Sequence, residues 1–345
     1  MEHSCKLINS QDLSHDVRFD LIRVTACLAV ILLHVSARPI YLHMEGGANH
    51  DWWLIAIAIN SATRWCVPVF VMLSGALLLG RDLPWRDTYL RRLPRMLVVL
   101  ATATVIYAGW QIGFTHEFTG PSFLLSLYQG QPYYHLYFFF VVIGLYAIAP
   151  VISRFFAQVD RTTAMGAIIV ACLVASASFT LSGFAPTAFT FSWPYIGYFA
   201  LGFYLFRYRP ELPYAWIALG SYVVTFAAVE AFALMKGPGW TWTLYPHTYF
   251  SPNVFAFSLG IFGMLLSMQV GNRMAKVFAV LAPLTLIAYI VHPMIMEFLR
   301  WTFSVHMPEL MRLRYEPPLT YGLTVGISFG AAYVLRRIPV VRRYF

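Results

Sequence analysis

Long apolar stretches separated by short polar connections are the main pattern along this chain. An apolar stretch of about 20 residues is long enough to cross a bilayer as a helix. Ten stretches of this kind lie at residues 17–37, 53–79, 96–115, 135–156, 164–184, 193–208, 214–235, 252–270, 277–300 and 319–336. They predict an all-α integral membrane protein, a bundle of about ten transmembrane helices. No linker interrupts the series, so we expect a single membrane-embedded domain over 1–345 with a short tail at 1–16.

The basic residues predict the direction in which the chain enters the membrane, because cytoplasmic loops are enriched in Lys and Arg. With ten spans and a cytoplasmic N-terminus, 18 of the 24 Lys and Arg residues fall on the cytoplasmic side. The residues on the outer side are Arg38, Lys236, Arg300, Arg312 and Arg314. Both termini are therefore predicted to be cytoplasmic.

Composition agrees with a membrane protein and excludes several other classes. Of the 345 residues 59% are hydrophobic and only 11% are charged, against about 25% charged in ordinary globular domains. The net charge of +9 comes from residues that flank apolar stretches, which argues against a nucleic-acid partner. The Cys and His residues show no metal-ligand spacing, so no metal is predicted.

Three ionisable residues share one face of the first predicted helix. Asp20, Arg23 and His34 all lie in the stretch RFDLIRVTACLAVILLHVS. From Arg23 to His34 a helix turns by about 1100°, within roughly 20° of three full turns, and Asp20 is about 40° off the same face. Charged groups are costly inside a membrane and mark a functional site by default. We expect His34 to act as a base near neutral pH, with Asp20 as its catalytic companion.

A cluster of arginines precedes the third predicted span in the sequence RRLPR. Arg92 and Arg95 are three residues apart, which places them close together on a helix surface, and Arg91 is adjacent. Pro94 is compatible with a first helical turn. Guanidinium groups suit phosphate oxygens. The alternative is that these arginines are ordinary flanking charges of a cytoplasmic loop.

Three further residues are secondary candidates for a role in the site. Arg64 lies within the second apolar stretch, His135 at the outer end of the fourth and His292 within the ninth, where Pro293 frees a backbone carbonyl. A structural role is the stronger reading for each histidine, and a second proton-handling group is the alternative. Ser74-Gly75 is predicted to be a close helix-packing point rather than a catalytic serine.

Several segments together resemble the membrane acyltransferase family 3, whose members O-acylate glycans. They are RFDLIR followed by His34, then SATRWCVPVFVMLSG, RRLPR, HLYFFFVVIGLYAIAPVI, YFALGFYLF and IAYIVHP. The spacing of Arg23 and His34 matches the family's Arg-x10-His motif, and Arg92 and Arg95 match its RxxR motif. SATRWCVPVFVMLSG and PYYHLYFFF are similar to the branch that O-acetylates enterobacterial common antigen.

The resemblance implies a membrane O-acetyltransferase of the bacterial inner membrane. It implies a cytoplasmic acyl-CoA donor, usually acetyl-CoA, and an acceptor hydroxyl on a glycan or lipid-linked sugar that is reached from the periplasmic side. It also implies functional roles for Arg23, His34, Arg92 and Arg95.

These roles give a working hypothesis for the reaction. Arg92, Arg95 and Arg91 would bind the CoA phosphates. Arg23 would pair with Asp20 or line the donor channel. His34 would act as general base on the acceptor hydroxyl or carry the acetyl group transiently.

Two other functions also fit the sequence. Ten spans with charges inside the membrane are typical of a transporter or flippase, here for a glycan or small anion. The RRLPR cluster favours an enzyme that binds CoA, and the chain shows no clear internal repeat. A transferase that uses succinyl-CoA or another acyl-CoA is the second alternative.

Overall fold

A computed structural model provides the structure of this chain. It describes residues 16–45, 50–79, 84–182, 187–307 and 316–345. The predictions that concern Arg312, Arg314 and the tail up to residue 15 fall outside the described residues.

Every regular element in these ranges is helical, and the described residues contain no strand. The α-helices are α1 Val17–Met44, α2 His50–Thr63, α3 Cys66–Leu78, α4 Trp85–Asp87, α5 Leu93–Trp110, α6 Gly120–Tyr128, α7 Tyr137–Gln158, α8 Arg161–Ser182, α9 Ile196–Tyr208, α10 Tyr214–Lys236, α11 Pro252–Ser267, α12 Asn272–Leu281, α13 Thr285–His306, α14 Glu316–Leu335 and α15 Pro339–Tyr344. In the described part of the chain, nine helical stretches are long and apolar enough to cross a membrane. The prediction of an all-α membrane protein is confirmed.

The sixth predicted span, 193–208, differs from the others. It consists of a 3-10 turn at Trp193–Tyr195 and the 13-residue helix α9, which is shorter than the roughly 17–25 residues of an ordinary membrane span. All residues from Gly197 to Phe206 are buried. A helix that is apolar on every side is either a membrane span or a helix buried by other protein segments. The burial of α9 shows that it packs against other parts of unit 1.

The second predicted span is divided by a break at Arg64 and Trp65, between α2 and α3. Pro68 follows four residues after Arg64. A proline in a helix lacks the N–H that would bond the carbonyl four residues earlier, and its ring clashes with that carbonyl. The proline explains why the helix ends before Arg64 and a new one starts at Cys66.

Asp16 begins α1 as its N-terminal cap. Its Oδ1 accepts the backbone N–H of Arg18 at 3.0 Å, and the Arg18 side chain forms an ion pair with its Oδ2 at 2.5 Å. Burial alone would raise the pKa of Asp16, but the hydrogen bonds from Arg18 outweigh it and hold that pKa below its ordinary value.

The chain divides into two compact units. Unit 1 contains the described residues up to Phe19, together with Val69–Leu212 and Tyr344. Unit 2 contains Asp20–Pro68, Pro213–Arg343 and Phe345. The single-domain organisation inferred from the sequence stays a prediction.

Two glycines allow α3 and α9 to pack closely within unit 1. A Cβ at Gly75 would lie 1.7 Å from the carbonyl oxygen of Phe199, and a Cβ at Gly202 would lie 1.9 Å from that of Met72. Ser74 Oγ donates to the Phe70 carbonyl of its own helix at 3.1 Å. The prediction that Ser74-Gly75 is a packing point is confirmed.

A core cluster joins α1, α2 and α10 in unit 2, and Trp53 lies fully buried within it together with Ile57 and Val229. The indole Nε1–H of Trp53 donates to Glu230 Oε2 at 2.9 Å. Trp53 is therefore a core residue with a satisfied polar group.

Candidate active site

The predicted polar stripe lies on one continuous helix, α1, in unit 2. Arg23 Nη1 is 3.5 Å from Asp20 Oδ1, and both side chains are about one-third exposed. His34 lies eleven residues beyond Arg23, about 16 Å further along the helix axis. The structure thus pairs Asp20 with Arg23, one of the two arrangements expected from the sequence.

His34 stacks on His292 of α13. The two ring centroids are 5.3 Å apart and the planes are inclined by 28°. His292 is fully buried, whereas His34 retains partial exposure. The structure thus brings together the leading candidate base and one of the secondary candidates.

Pro293 fixes the orientation of the His292 ring. The carbonyl of Tyr289 lies four residues before Pro293, which has no N–H to offer it. His292 Nδ1 lies 2.7 Å from that carbonyl oxygen. A carbonyl only accepts hydrogen bonds, so Nδ1 carries the proton and Nε2 carries the lone pair.

Arg300 donates a hydrogen bond to a second carbonyl group that a proline leaves without its helical donor. Pro39 lies inside α1, four residues after Val35, and Arg300 Nη2 donates to the Val35 carbonyl at 3.0 Å. Arg300 Nε is also 3.7 Å from Glu316 Oε1, and both side chains are largely buried. The Arg300 guanidinium is thereby held next to the α1 turn that carries His34.

Asn60 connects Arg64 to the same turn of α1. Arg64 Nη2 donates to Asn60 Oδ1. Asn60 Nδ2 donates to the Leu33 carbonyl at 3.1 Å and to Ser36 Oγ at 2.9 Å. Arg64 therefore has a neutral polar partner for its charge.

The two guanidinium groups close to His34 come from two places in unit 2. Arg64 lies at the break between α2 and α3, and Arg300 lies on α13. Both act electrostatically on the His34 ring, as does the neighbouring His292. Positive groups fixed in a low-dielectric site stabilise a negative charge that develops during a reaction. The arrangement suits a step in which an oxygen beside His34 becomes negatively charged.

A second buried histidine lies in this polar network. His247 ends a 3-10 turn at Tyr245–His247, and its Nε2 is 2.8 Å from Ser61 Oγ. Arg64 acts electrostatically on His247 as well as on His34. Ser61 directly follows Asn60, so this contact holds the last turn of α2 in place.

The arginines of RRLPR lie in unit 1, at a π-helical turn over Thr88–Arg92 that leads into α5. Arg91 forms an ion pair with Asp87 at 3.3 Å, and its side chain is 82% exposed. Arg95 Nε donates to the Tyr344 carbonyl at 2.8 Å, and Arg92 is partly exposed. Pro94 sits in the first turn of α5, as expected. π-Helical turns are frequent at functional sites.

His135 is also in unit 1, just before α7, and is fully buried. Its ring packs against Tyr107 and Tyr133, with centroid distances of 4.9 Å and 5.9 Å. These aromatic contacts agree with the structural reading of His135.

An apolar cavity of about 340 Å³ borders the α1 turn after His34. Val35, Ser36 and Tyr321 line it, together with residues of α2 such as Ile59. Its walls suit an apolar group rather than a charged one.

Comparison with known families decides the class of this protein. A family model described as an acyltransferase domain matches residues 16–337. The chain belongs to the acyltransferase 3 family. It is a multi-pass membrane acyltransferase. No curated protein and no solved structure matches the chain.

Several residues around His34 in this acyltransferase 3 protein were not among the sequence candidates. Asn60, His247 and Glu316 lie outside the quoted segments, Ser61 begins SATRWCVPVFVMLSG without being a candidate, and Arg300 counted only as an outer-loop charge. Pro39 gave an indirect signal in the sequence. It leaves the Val35 carbonyl without its helical hydrogen-bond donor, so a side chain such as that of Arg300 could be expected to donate there.

Proposed function

We propose that this acyltransferase transfers an acetyl group from acetyl-CoA to a hydroxyl of a glycan or lipid-linked sugar in the bacterial inner membrane. The observation that carries the proposal is the stacked His34–His292 pair in unit 2, with Arg64 and Arg300 as charged neighbours. A histidine can supply a base, and the guanidinium groups suit an acyl-transfer oxyanion.

His34 takes the proton of the acceptor hydroxyl as the hydroxyl oxygen attacks the thioester carbonyl. The new C–O bond gives a tetrahedral intermediate whose negative oxygen is stabilised by a neighbouring guanidinium. The C–S bond then breaks, and the CoA sulfur leaves with the proton held by His34. In the alternative route a His34 nitrogen attacks the thioester carbonyl, the C–S bond breaks and CoA leaves as the thiolate. The acceptor oxygen then attacks the acetyl carbon, the bond to the His34 nitrogen breaks, and the acceptor proton goes to the CoA thiolate.

Asp20 and Arg23 contribute to this function at the N-terminal end of α1. Both side chains of this ion pair are about one-third exposed, so Arg23 is accessible to a charged donor. The family resemblance implies that Arg92 and Arg95 are functional, and in this proposal they bind the CoA donor together with Arg91. The donor enters from the cytoplasm, where the sequence places both termini.

The apolar cavity beside the His34 turn favours an acceptor that carries a lipid. Its lining by residues such as Ile59 and Tyr321 suits a hydrocarbon chain better than a polysaccharide segment. A lipid-linked sugar, such as a precursor of enterobacterial common antigen, is the proposed acceptor class.

Isotope-labelled acetyl-CoA provides the direct test. Membranes containing the wild type or the His34→Ala variant are incubated with the labelled donor, and lipid-linked and surface glycans are analysed by mass spectrometry. We expect labelled acetyl esters with the wild type and a loss of about 10²–10⁴-fold with His34→Ala. A folded His34→Ala variant with full activity would overturn the role of His34, and no labelled glycan with the wild type would overturn the proposed reaction.

A further inference from the structure

A basic pocket of about 870 Å³ lies at the C-terminal end of α14 in unit 2. Four of its lining residues are arginines, Arg336, Arg337, Arg342 and Arg343. Its volume is within the range of roughly 300–1,000 Å³ that holds small molecules.

The pocket carries an excess of positive charge that its own walls do not offset. No acidic residue lines it among the described residues. The buried Nε of Arg336 has no hydrogen-bond partner in the described part of the chain. Tyr333 holds the Arg337 guanidinium over its ring at 4.9 Å and accepts a hydrogen bond from it at 3.2 Å. Preorganised guanidinium groups of this kind recognise phosphates.

The pocket and the histidine pair both lie on α13, and the pairing of α13 with α1 shows how they are arranged along it. Cys27 Sγ lies 3.7 Å from the carbonyl oxygen of Thr285, the first residue of α13, and seven residues later on both helices His34 stacks on His292. Leu284, which directly precedes α13, lines the pocket. The eight residues from Leu284 to His292 correspond to about 12 Å along the helix.

We propose that this pocket binds the phosphate groups of the acyl-CoA donor, an inference that rests on the proposed function. The phosphates and the thioester of acyl-CoA lie at opposite ends of an elongated molecule. Phosphates held by Arg336 and Arg342 leave the flexible arm to run along α13 towards His34.

Ligand binding to the full-length protein in detergent tests the proposal. Dissociation constants are measured for acetyl-CoA, for dephospho-CoA and for inorganic phosphate, with the wild type and with Arg336→Glu/Arg342→Glu. Arg273→Glu is the matched control, because Arg273 is an exposed arginine of α12 that does not line the pocket. Arg336→Lys, which keeps the charge, provides a second variant if the double reversal does not fold.

We expect the double variant to bind acetyl-CoA about tenfold or more weakly, since each lost charged contact is worth about that factor. The control should bind like the wild type. Dephospho-CoA should bind the wild type more weakly than acetyl-CoA does. Arg336→Lys should bind acetyl-CoA several-fold more weakly than the wild type, because a lysine keeps the charge but loses the paired donors of the guanidinium.

Two results would overturn the proposal. Equal acetyl-CoA affinity of the wild type and the folded double variant would remove the pocket from donor binding while leaving the proposed function intact. Phosphatidylglycerol vesicles could instead stabilise the wild type and the control against thermal unfolding but not the double variant, with acetyl-CoA affinity unchanged in all three. That result would assign the pocket to a lipid headgroup. Failure of the proposed function itself would appear separately, as a wild type that neither binds CoA nor transfers acetyl groups.

Discussion

Ser61 Oγ lies 2.8 Å from Nε2 of His247, and both side chains are buried. The sequence places His247 in a loop and assigns it no role. In the structure, His247 links a 3-10 turn to the last turn of α2. Its partner Ser61 directly follows Asn60, which accepts a hydrogen bond from Arg64. A loop residue thus helps to fix the position of a charge beside His34.

His247→Phe should destabilise unit 2 without removing a charged group from the site. The variant leaves the Ser61 hydroxyl buried without its partner, which costs about 1–3 kcal/mol. Thermal unfolding in detergent measures the loss. Ser61→Ala in the same background is the control, because removing both polar partners should restore part of the stability. Additive losses in the double variant would show that the two side chains do not interact.

Arg300→Lys should lower stability by about 1 kcal/mol, because the lysine loses one of the two donors that serve Val35 and Glu316. Acetyl transfer should also fall, since the turn that carries His34 is less well held. In a Pro39→Ala background the new N–H of residue 39 is available to the Val35 carbonyl, so Arg300→Lys should cost less. An equal cost in both backgrounds would mean that the Val35 contact contributes nothing.

Prolines explain how much of the site could be predicted from the sequence. Pro39 and Pro293 each free a carbonyl, and the sequence alone shows which one. The sequence does not show which side chain donates to the freed carbonyl. For the Tyr289 carbonyl the donor is the nearby His292, but for the Val35 carbonyl it is Arg300, 265 positions away. Helix periodicity predicted the face shared by Asp20, Arg23 and His34, because that face depends only on local geometry.

Contacts between distant residues also limited how much of the fold could be predicted from the sequence. Apolar length predicted ten stretches, and nine of them are helices long enough to cross a membrane in the described part of the chain. Apolar length could not show that the remaining stretch, 193–208, is packed against other protein segments, since hydropathy does not distinguish burial by lipid from burial by protein. The buried residues of α9 and the contacts of Gly202 with Met72 depend on distant parts of the chain.

Two amide variants of His292 should separate a positioning role from a proton-handling role. In His292→Asn the side-chain amide N–H replaces Nδ1–H and still reaches the Tyr289 carbonyl, whereas in His292→Gln it is displaced towards the Nε2 position. If His292 only positions His34, the Asn variant keeps kcat close to the wild type and the Gln variant loses it. Equal losses of about 10²-fold or more in both variants would indicate that Nε2 handles protons in the reaction.

Gly75→Ala should be strongly destabilising, by about 3 kcal/mol or more, because the added methyl group meets a backbone carbonyl that cannot rotate away. The matched control is Gly166→Ala on the exposed side of α8, where a Cβ meets nothing within 4 Å. That change should be neutral or stabilise by up to about 1 kcal/mol, through the higher helix propensity of alanine. Similar melting temperatures for both variants would contradict the close approach of α3 and α9.

The cap of α1 should contribute stability that depends on pH. Asp16→Ala removes the hydrogen bonds to Arg18 and should cost about 1 kcal/mol at pH 7. Because the folded state holds the pKa of Asp16 below its ordinary value of 3.8, the stabilisation is complete above that value and is lost as the pH falls through the lower, folded-state pKa. Thermal unfolding of the wild type and the variant from pH 7 down to about pH 3 measures the difference. It should stay constant down to about pH 4 and shrink below it, whereas a difference that grows on acidification would contradict the assignment of the cap as a charged carboxylate.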